Sequence, residues 1–221
     1  MLKAVLFDLG DTLVKTSNIV ETLQKILKAY GIHRTQEEIT IAHEKAGKLL
    51  GFEYMKTMFD DYWVKRNTIF LEKLGIFGRD DLAKIISEQW WDYSNVVVHS
   101  DVKETLNQLK QRGLKMGIIT NGLQTDIDKI MAKIELNPNF FDIVVTVDTF
   151  GRMKPEKEIF HRALDVLNVT PTEALFVGDT VEYDYEGAKQ AGLKALLIDR
   201  EHKINEDVEK IHDLREILAL V

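Results

Sequence analysis

Cysteine is absent from this 221-residue sequence, and proline occurs only three times. Without cysteine the chain can form no disulfide scaffold, no thiolate zinc site and no cysteine nucleophile. Long apolar runs are also absent. The N-terminal run, Ala4 to Phe7, stops at Asp8, which makes it too short for a signal peptide. No stretch approaches the roughly 18 uninterrupted apolar residues of a membrane span. We therefore expect a soluble, cytoplasmic protein without a membrane partner.

The chain carries a moderate excess of acidic residues. There are 29 lysines and arginines against 36 aspartates and glutamates, which gives a net charge of −7. We expect no nucleic-acid partner, because surfaces that bind nucleic acid concentrate positive charge. Apolar residues make up 45% of the chain, enough to bury a core and offset the entropy of ordering. At roughly 150 residues per domain, the length favours one large domain or one domain with an insertion.

Residues 16–93 have the apolar spacing of helices and contain no convincing strand. The apolar residues fall into four groups, and each of the first three groups ends at a glycine. Thr35 and Glu38 have the spacing of a capping box at the start of the second helix. The third and longest predicted helix runs from Met55 to Leu74. Four helices joined by short loops predict a small bundle.

From about residue 95 onward, short apolar strands alternate with helices. This alternation predicts a parallel sheet covered by helices on both faces. The early strand at 3–8 has no partner within the helical segment, so it must join the later sheet. The core is therefore assigned to 1–15 and 94–221, with 16–93 as an insertion. The later strands are predicted at 115–120, 143–147, 174–178 and 194–199, separated by helices at about 102–109, 123–136, 156–167, 183–191 and 206–220.

Polar residues follow each of the first four predicted strands of the sheet. Because parallel strands end at one edge, where α/β proteins bind ligands, we expect these residues to share a crevice. Crowded carboxylates repel one another unless a cation neutralises them. With no cysteine or histidine among the residues, a hard ion such as Mg²⁺ suits the group best. The residues are Asp8, Gly10, Asp11 and Thr12; Thr120, Asn121 and Gly122; Lys154 and Pro155; and Asp179, Thr180 and Asp184.

The same crevice offers hydrogen-bond donors to an anion. Thr120, Asn121 and Lys154 can donate to a phosphate, as can backbone amides at the helix start after Asn121. An acidic metal site with anion donors suits phosphoryl transfer, in which catalysis is mostly positioning and charge neutralisation. The residues alone leave the nucleophile open between water and a carboxylate. Each group could also serve only as a turn or as the start of a helix.

Four motifs, in this order along the chain, resemble the haloacid dehalogenase (HAD) superfamily. The resemblance covers 1–15 and about 95–200, and the helical insertion stands where that superfamily has its C1 cap. It implies a Rossmann-like α/β core with an inserted four-helix-bundle cap. The acidic fourth motif resembles the metal-dependent phosphatases of the superfamily rather than its dehalogenases. The motifs are FDLGDTL (7–13), ITNG (119–122), KP (154–155) and VGDTVEYD (177–184).

The resemblance implies Mg²⁺-dependent hydrolysis of a small phosphorylated metabolite through an aspartyl-phosphate intermediate. The alternatives are phosphonate or C–halogen hydrolysis, or a binding or regulatory protein with little turnover. A monomer and a homodimer are both compatible with the sequence. Residue by residue, the resemblance implies that Asp8 is both the nucleophile and a metal ligand. The Gly10 carbonyl and Asp179 would be further metal ligands, and Asp184 would bind the metal directly or through water. The residues that bind the phosphoryl group would be Thr120, Asn121 and Lys154.

One position departs from the pattern of the superfamily. Its phosphatases usually read D-x-D-G-T, and the second aspartate acts as general acid and base. Here Gly10 occupies that position and Asp11 follows it. Glycine can supply a carbonyl but no proton, and protonation of a leaving group contributes about 10²–10⁴-fold in rate. Asp11 takes over the role, or the substrate has a leaving group that needs no acid, or the enzyme is slow.

Overall fold

The computed structural model describes residues 1–57, 61–134, 136 and 138–221. The chain divides into two compact units. Met1–Lys15 and Val96–Val221 form one unit, here called the sheet unit, and Thr16–Asn95 form the other, here called the helical unit. The strands are β1 (Ala4–Phe7), β2 (Val14–Thr16), β3 (Val96–Val98), β4 (Lys115–Ile119), β5 (Ile143–Val145), β6 (Ala174–Gly178), β7 (Lys194–Ile198) and β8 (Lys210–Ile211).

The described α-helices follow the same chain order. Those of the helical unit are α1 (Ile19–Ala29), α2 (Gln36–Leu49), α3 (Tyr62–Lys73) and α4 (Asp80–Tyr93). Those of the sheet unit are α5 (Val102–Gln111), α6 (Gln124–Lys133), α7 (Val147–Phe150), α8 (Lys157–Leu167) and α9 (Gly187–Gln190). No helix within the described ranges is long and apolar enough to cross a membrane.

The sheet unit is built on a six-stranded sheet in the order β5-β4-β1-β6-β7-β8. Every neighbouring pair is parallel. All four residues of β1 are fully buried, as expected for a central strand covered on both faces. Phe7 pairs with Ile118 of β4 and Val177 of β6, so these three strands end side by side. The prediction of an α/β fold with a parallel sheet is confirmed.

Helices pack on the sheet and fix its strands. On one face, Phe160 of α8 meets Phe176 of β6, with ring centroids 5.1 Å apart and ring planes nearly perpendicular. Elsewhere α5 contacts β4 and a C-terminal 3₁₀ helix, Leu214–Ala219. The packed helices and the parallel pairing together determine where the residues just beyond the carboxyl ends of the strands lie.

In the helical unit, the start of α2 agrees with the sequence. Thr35 and Glu38 form the predicted capping box, in which each side chain bonds the backbone N–H of the other residue. The third helix begins later than predicted: Phe52–Thr57 form a 3₁₀ helix, and α3 starts at Tyr62. Met58 and Phe59, which the predicted helix includes, lie outside the described residues.

The predicted amphipathic helix at 206–220 is wrong. The segment instead forms β8 and the 3₁₀ helix Leu214–Ala219. The edge of β7 offers backbone groups to this segment: Leu197 N–H donates to Glu209 O at 3.0 Å, and Asp199 N–H donates to Ile211 O at 2.8 Å. Asp213 then caps the 3₁₀ helix by accepting from the Arg215 N–H. Pairing with an open sheet edge therefore outweighs the local helical pattern.

Two short strands were also missing from the prediction. β2 and β3 form a separate two-stranded sheet. Three residues are too few to establish an alternating pattern in the sequence. The predicted helix at 123–136 is shorter in the structure, where α6 ends at Lys133.

The packing around β4 leaves room only for glycine at position 117. A Cβ at this position would lie 2.7 Å from Ile143 Cγ2 and 2.8 Å from Leu6 Cδ2. We expect Gly117→Ala to lower the free energy of unfolding by about 1–3 kcal/mol, because overpacking a dense core forces neighbours to move. Urea denaturation of the purified variant measures this loss. Gly10→Ala is the matched control, since a Cβ at Gly10 meets no atom within 4 Å. An equal loss in both variants would contradict the packing argument.

Candidate active site

Asp8 stands where β1 ends, at the centre of the carboxyl edge of the sheet. Its backbone N–H donates to Val177 O at 2.9 Å and extends the pairing with β6 by one residue. Its side chain is 11% exposed. The continuous apolar run of β1 therefore ends by delivering one carboxylate to a nearly buried position beside the end of β6.

Lys154 connects two of the predicted carboxylates. Its Nζ lies 2.5 Å from Asp8 Oδ1 and 2.5 Å from Asp184 Oδ1, and its side chain is 3% exposed. The side chain of Asn121 holds the backbone of Lys154 on both sides: Asn121 Oδ1 accepts from the Lys154 N–H at 2.7 Å, and Asn121 Nδ2 donates to Lys154 O at 3.0 Å. The Asn121 side chain thus serves to position Lys154.

Asp184 lies in a π-helical turn, Val181–Glu186, and is 1% exposed. Its Oδ2 accepts from Thr180 N–H at 2.9 Å and from Thr180 Oγ1 at 2.6 Å. At Gly178, a Cβ would lie 2.3 Å from Asp184 Cγ, so only glycine leaves room for this carboxylate. Both oxygens of Asp184 are therefore engaged by neighbours, one by Lys154 and one by Thr180.

Asp179 completes the acidic group. Asp8, Asp179 and Asp184 each offer a carboxylate oxygen, and these oxygens lie within 4.8 Å of one another. Thr12 Oγ1 lies 3.4 Å from Asp179 Oδ1, the distance of a long hydrogen bond. Asp8 thus meets Asp179 and Asp184, which lie far from it in the chain, at one edge of the sheet.

Burial and neighbouring negative charge raise the pKa values of two carboxylates in this group. Burial raises the pKa of Asp8 to about 6, although Lys154 opposes the shift. Burial and the charges of Asp8 and Asp184 raise the pKa of Asp179 to about 8. Burial alone would favour a neutral Lys154, but the carboxylates of Asp184 and Asp8 outweigh it and raise the pKa of Lys154 above its usual range. One ammonium therefore faces three carboxylates.

A divalent cation fits this group chemically. When all three carboxylates are ionised, they and Lys154 leave two negative charges, which a divalent cation would neutralise. The carboxylate oxygens are hard ligands of the kind that Mg²⁺ prefers. Close by, the Gly10 carbonyl accepts from the Thr12 N–H at 2.6 Å and keeps a second lone pair. The cluster could thus bind a divalent metal ion.

The remaining predicted residues lie at the same edge. Thr120 directly follows β4, is 7% exposed, and its Oγ1 accepts from the Gly122 N–H at 3.2 Å. This leaves the Thr120 hydroxyl hydrogen for another acceptor. Asp11 is exposed, with a left-handed backbone at φ 50°, and its charge contributes to the raised pKa of Asp179. Asp11 is therefore within electrostatic range of the acidic group.

Four residues that support this site have no role predicted from the sequence. Thr12 and Thr180 were among the strand-end residues, but nothing in the sequence showed that they would contact Asp179 and Asp184. Arg200, which follows β7, donates to the backbone of Thr12 at 2.7 Å and pairs with Asp101; neither residue has a predicted role. The available signal was position, because Arg200 also follows a strand of the same sheet.

Comparison with known proteins gives the same family throughout. The family model described as a haloacid dehalogenase-like hydrolase matches residues 2–192. A glyceraldehyde 3-phosphate phosphatase from Methanocaldococcus jannaschii is 33% identical, over 100% of this chain and 97% of that protein. A phosphoglycolate phosphatase from Aquifex aeolicus is 28% identical, over 89% of this chain and 84% of that protein.

A solved structure shares the fold. The HAD-hydrolase YfnB from Bacillus subtilis, bound to magnesium, superposes with a TM-score of 0.81 at 19% identity, covering 99% of this chain and 98% of that one. The prediction from the four motifs is therefore confirmed for the family, the fold and the enzyme class: the chain belongs to the haloacid dehalogenase-like hydrolase family.

Proposed function

We propose that this hydrolase cleaves the phosphomonoester of a small phosphorylated metabolite, with Mg²⁺ as its metal and Asp8 as its nucleophile. The observation that carries the proposal is the position of the Lys154 ammonium, 2.5 Å from both Asp8 and Asp184, with Asp179 beside them. The relatives named as phosphatases support the same reaction. By their names, short phosphorylated compounds such as glyceraldehyde 3-phosphate and phosphoglycolate are the substrates to try first.

Asp8 performs the first chemical step. One carboxylate oxygen attacks phosphorus, the bond between phosphorus and the ester oxygen breaks, and the ester oxygen leaves with its electron pair. Asp8 then carries the phosphoryl group as an aspartyl-phosphate. In the second step water attacks phosphorus, releases inorganic phosphate and restores the Asp8 carboxylate.

The neighbouring residues stabilise charge and hold geometry. Lys154 offsets the negative charge of Asp8 and of the incoming phosphoryl oxygens. Thr120 donates its hydroxyl to the phosphoryl group, and Asn121 adds its backbone N–H while its side chain positions Lys154. Asp8, Asp179 and the Gly10 carbonyl are the proposed metal ligands, with Asp184 direct or through water. Bound Mg²⁺ supplies electrostatic stabilisation of the transferred group.

The glycine at position 10 leaves open how the leaving group is protonated. No packing constraint requires glycine there, since a Cβ would meet no atom within 4 Å. The alternatives from the sequence remain: Asp11 donates the proton, the leaving group needs none, or turnover is slow. Gly10 is the one sequence feature that favours a binding or regulatory protein with little turnover as a second candidate. The oligomeric state, monomer or homodimer, and the cytoplasmic location are still predictions from the sequence.

Asp8→Asn tests the nucleophile. We expect it to lower kcat/KM for Mg²⁺-dependent hydrolysis of p-nitrophenyl phosphate by at least about 10³-fold, because an amide oxygen is a poor nucleophile. Release of p-nitrophenolate with and without Mg²⁺ is the measurement. Asp165→Asn, an exposed aspartate on α8, is the control and should retain wild-type activity. If the wild-type protein shows no hydrolysis that depends on both Asp8 and the metal, that result would exclude the proposed function and favour the second candidate.

Gly10→Asp tests the missing acid. We expect up to about 10²-fold faster hydrolysis of glycerol phosphate, whose alkoxide needs a proton, and little change with p-nitrophenyl phosphate. If Asp11 already donates that proton, Asp11→Asn slows only the alkyl phosphate. Steady-state rates on both substrates compare the variants. An unchanged alkyl-phosphate rate in Gly10→Asp shows that acid loss does not limit turnover, and an unchanged rate in Asp11→Asn excludes Asp11 as the donor.

A further inference from the structure

Arg200 is tied to the turn that follows β1. Its Nη2 donates to the carbonyl oxygen of Thr12 at 2.7 Å, and its Nη1 donates to Asp101 Oδ2 at 2.8 Å. The side chains are 15% exposed for Arg200 and 3% exposed for Asp101. A nearly buried guanidinium thus connects the end of β7 with the turn that carries Gly10.

Asp101 anchors this guanidinium to the body of the sheet unit. The residue directly precedes α5, and its Oδ2 also accepts from the Leu214 N–H at 2.7 Å. The C-terminal 3₁₀ helix therefore holds the Asp101 carboxylate, while the start of α5 fixes the Asp101 backbone. The planar fork of arginine suits this place, because two of its nitrogens donate in fixed directions at once. The single ammonium of lysine cannot reproduce that geometry.

Thr12 passes this anchoring on to the acidic group. It is fully buried, its N–H donates to Gly10 O at 2.6 Å, and its Oγ1 lies 3.4 Å from Asp179 Oδ1. One residue therefore contacts two of the oxygens that we propose as metal ligands. Arg200 fixes the carbonyl of that same residue.

We infer that Arg200 is a positioning residue for the metal site: it holds Thr12, and through Thr12 it holds the Gly10 carbonyl and Asp179, two of the proposed metal ligands. The inference rests on the metal part of the proposed function. The turn also has its own backbone hydrogen bonds, from the N–H groups of Leu13 and Val14 to Leu9 O. Loss of Arg200 should therefore displace Thr12 without unfolding the turn.

The test measures metal binding without substrate. Mn²⁺ serves as the probe ion, and electron paramagnetic resonance gives its dissociation constant. We expect Arg200→Lys to raise that constant severalfold. The double variant Arg200→Gln with Asp101→Asn should raise it about tenfold, the lower end for groups that support metal ligands from outside. The double variant removes both charges, because an unpaired buried carboxylate would itself destabilise the fold.

Arg215→Gln is the matched control. Arg215 also pairs with an aspartate, Asp213, at 2.6 Å, but it is 53% exposed and lies on the C-terminal 3₁₀ helix. Its loss should leave Mn²⁺ affinity unchanged. A purely structural role for Arg200 would lower the urea midpoint and leave the Mn²⁺ affinity of the folded protein as in the wild type.

A second readout separates positioning from substrate binding. At saturating Mg²⁺, Arg200→Lys should retain the wild-type KM for p-nitrophenyl phosphate, while half-saturation by Mg²⁺ moves to higher concentration. Folded Arg200 variants with wild-type Mn²⁺ affinity would overturn the inference, and so would a wild-type protein that binds no Mn²⁺. If the double variant does not fold, Arg200→Lys decides. Mn²⁺ binding without Asp8-dependent hydrolysis would exclude only the proposed phosphatase reaction.

Discussion

The contact of Lys154 with two buried carboxylates is the interaction on which the site depends. Removing such charges from water is costly, and the cost is offset only where each partner is held in good hydrogen-bonding geometry. The surrounding residues meet that requirement one by one. Asn121 holds the backbone of Lys154, Thr180 holds the far oxygen of Asp184, and Gly178 leaves the space that Asp184 occupies. The site is therefore a set of charges whose supports come from neighbouring strand ends.

The parallel sheet explains why these supports can meet. Phe7 pairs with Val177, so Asp8 and the loop that follows β6 leave the sheet side by side. Three carboxylates against one ammonium leave the group short of positive charge. Burial, together with repulsion from Asp8 and Asp184, raises the pKa of Asp179 to about 8. This deficit of positive charge links the fold to the chemistry. The repulsion among the carboxylates is unfavourable without a metal ion, and a divalent cation would neutralise it.

The sequence predicts the edge of the sheet better than the contacts within it. Asp8 and Asp179 follow from one rule, that parallel strands end together, and this rule needs no knowledge of side-chain rotamers. Lys154 lies further from its strand, because α7 stands between it and the end of β5. The side chain of Asn121 could not be assigned to the backbone of Lys154, because that pairing depends on how the loop after β5 returns. The C-terminal segment was predicted as a helix for a related reason. Its amphipathic spacing is local, whereas the open edge of β7 that it pairs with is a property of the whole sheet.

The fold does not require glycine at position 10, but the reaction is affected by the absence of a carboxylate there. Gly178 is fixed by packing against Asp184, but nothing packs against the position that a Cβ of Gly10 would take. The backbone at Gly10 also lies outside the left-handed region that favours glycine. The turn would therefore tolerate a carboxylate there, and its absence changes the chemistry without changing the structure. Because the Gly10 carbonyl remains in place, metal binding and phosphoryl transfer to Asp8 can persist while protonation of the leaving group is weakened. If Asp11 does not donate the proton, the proposed reaction discriminates among substrates by the basicity of the leaving group, in addition to their shape.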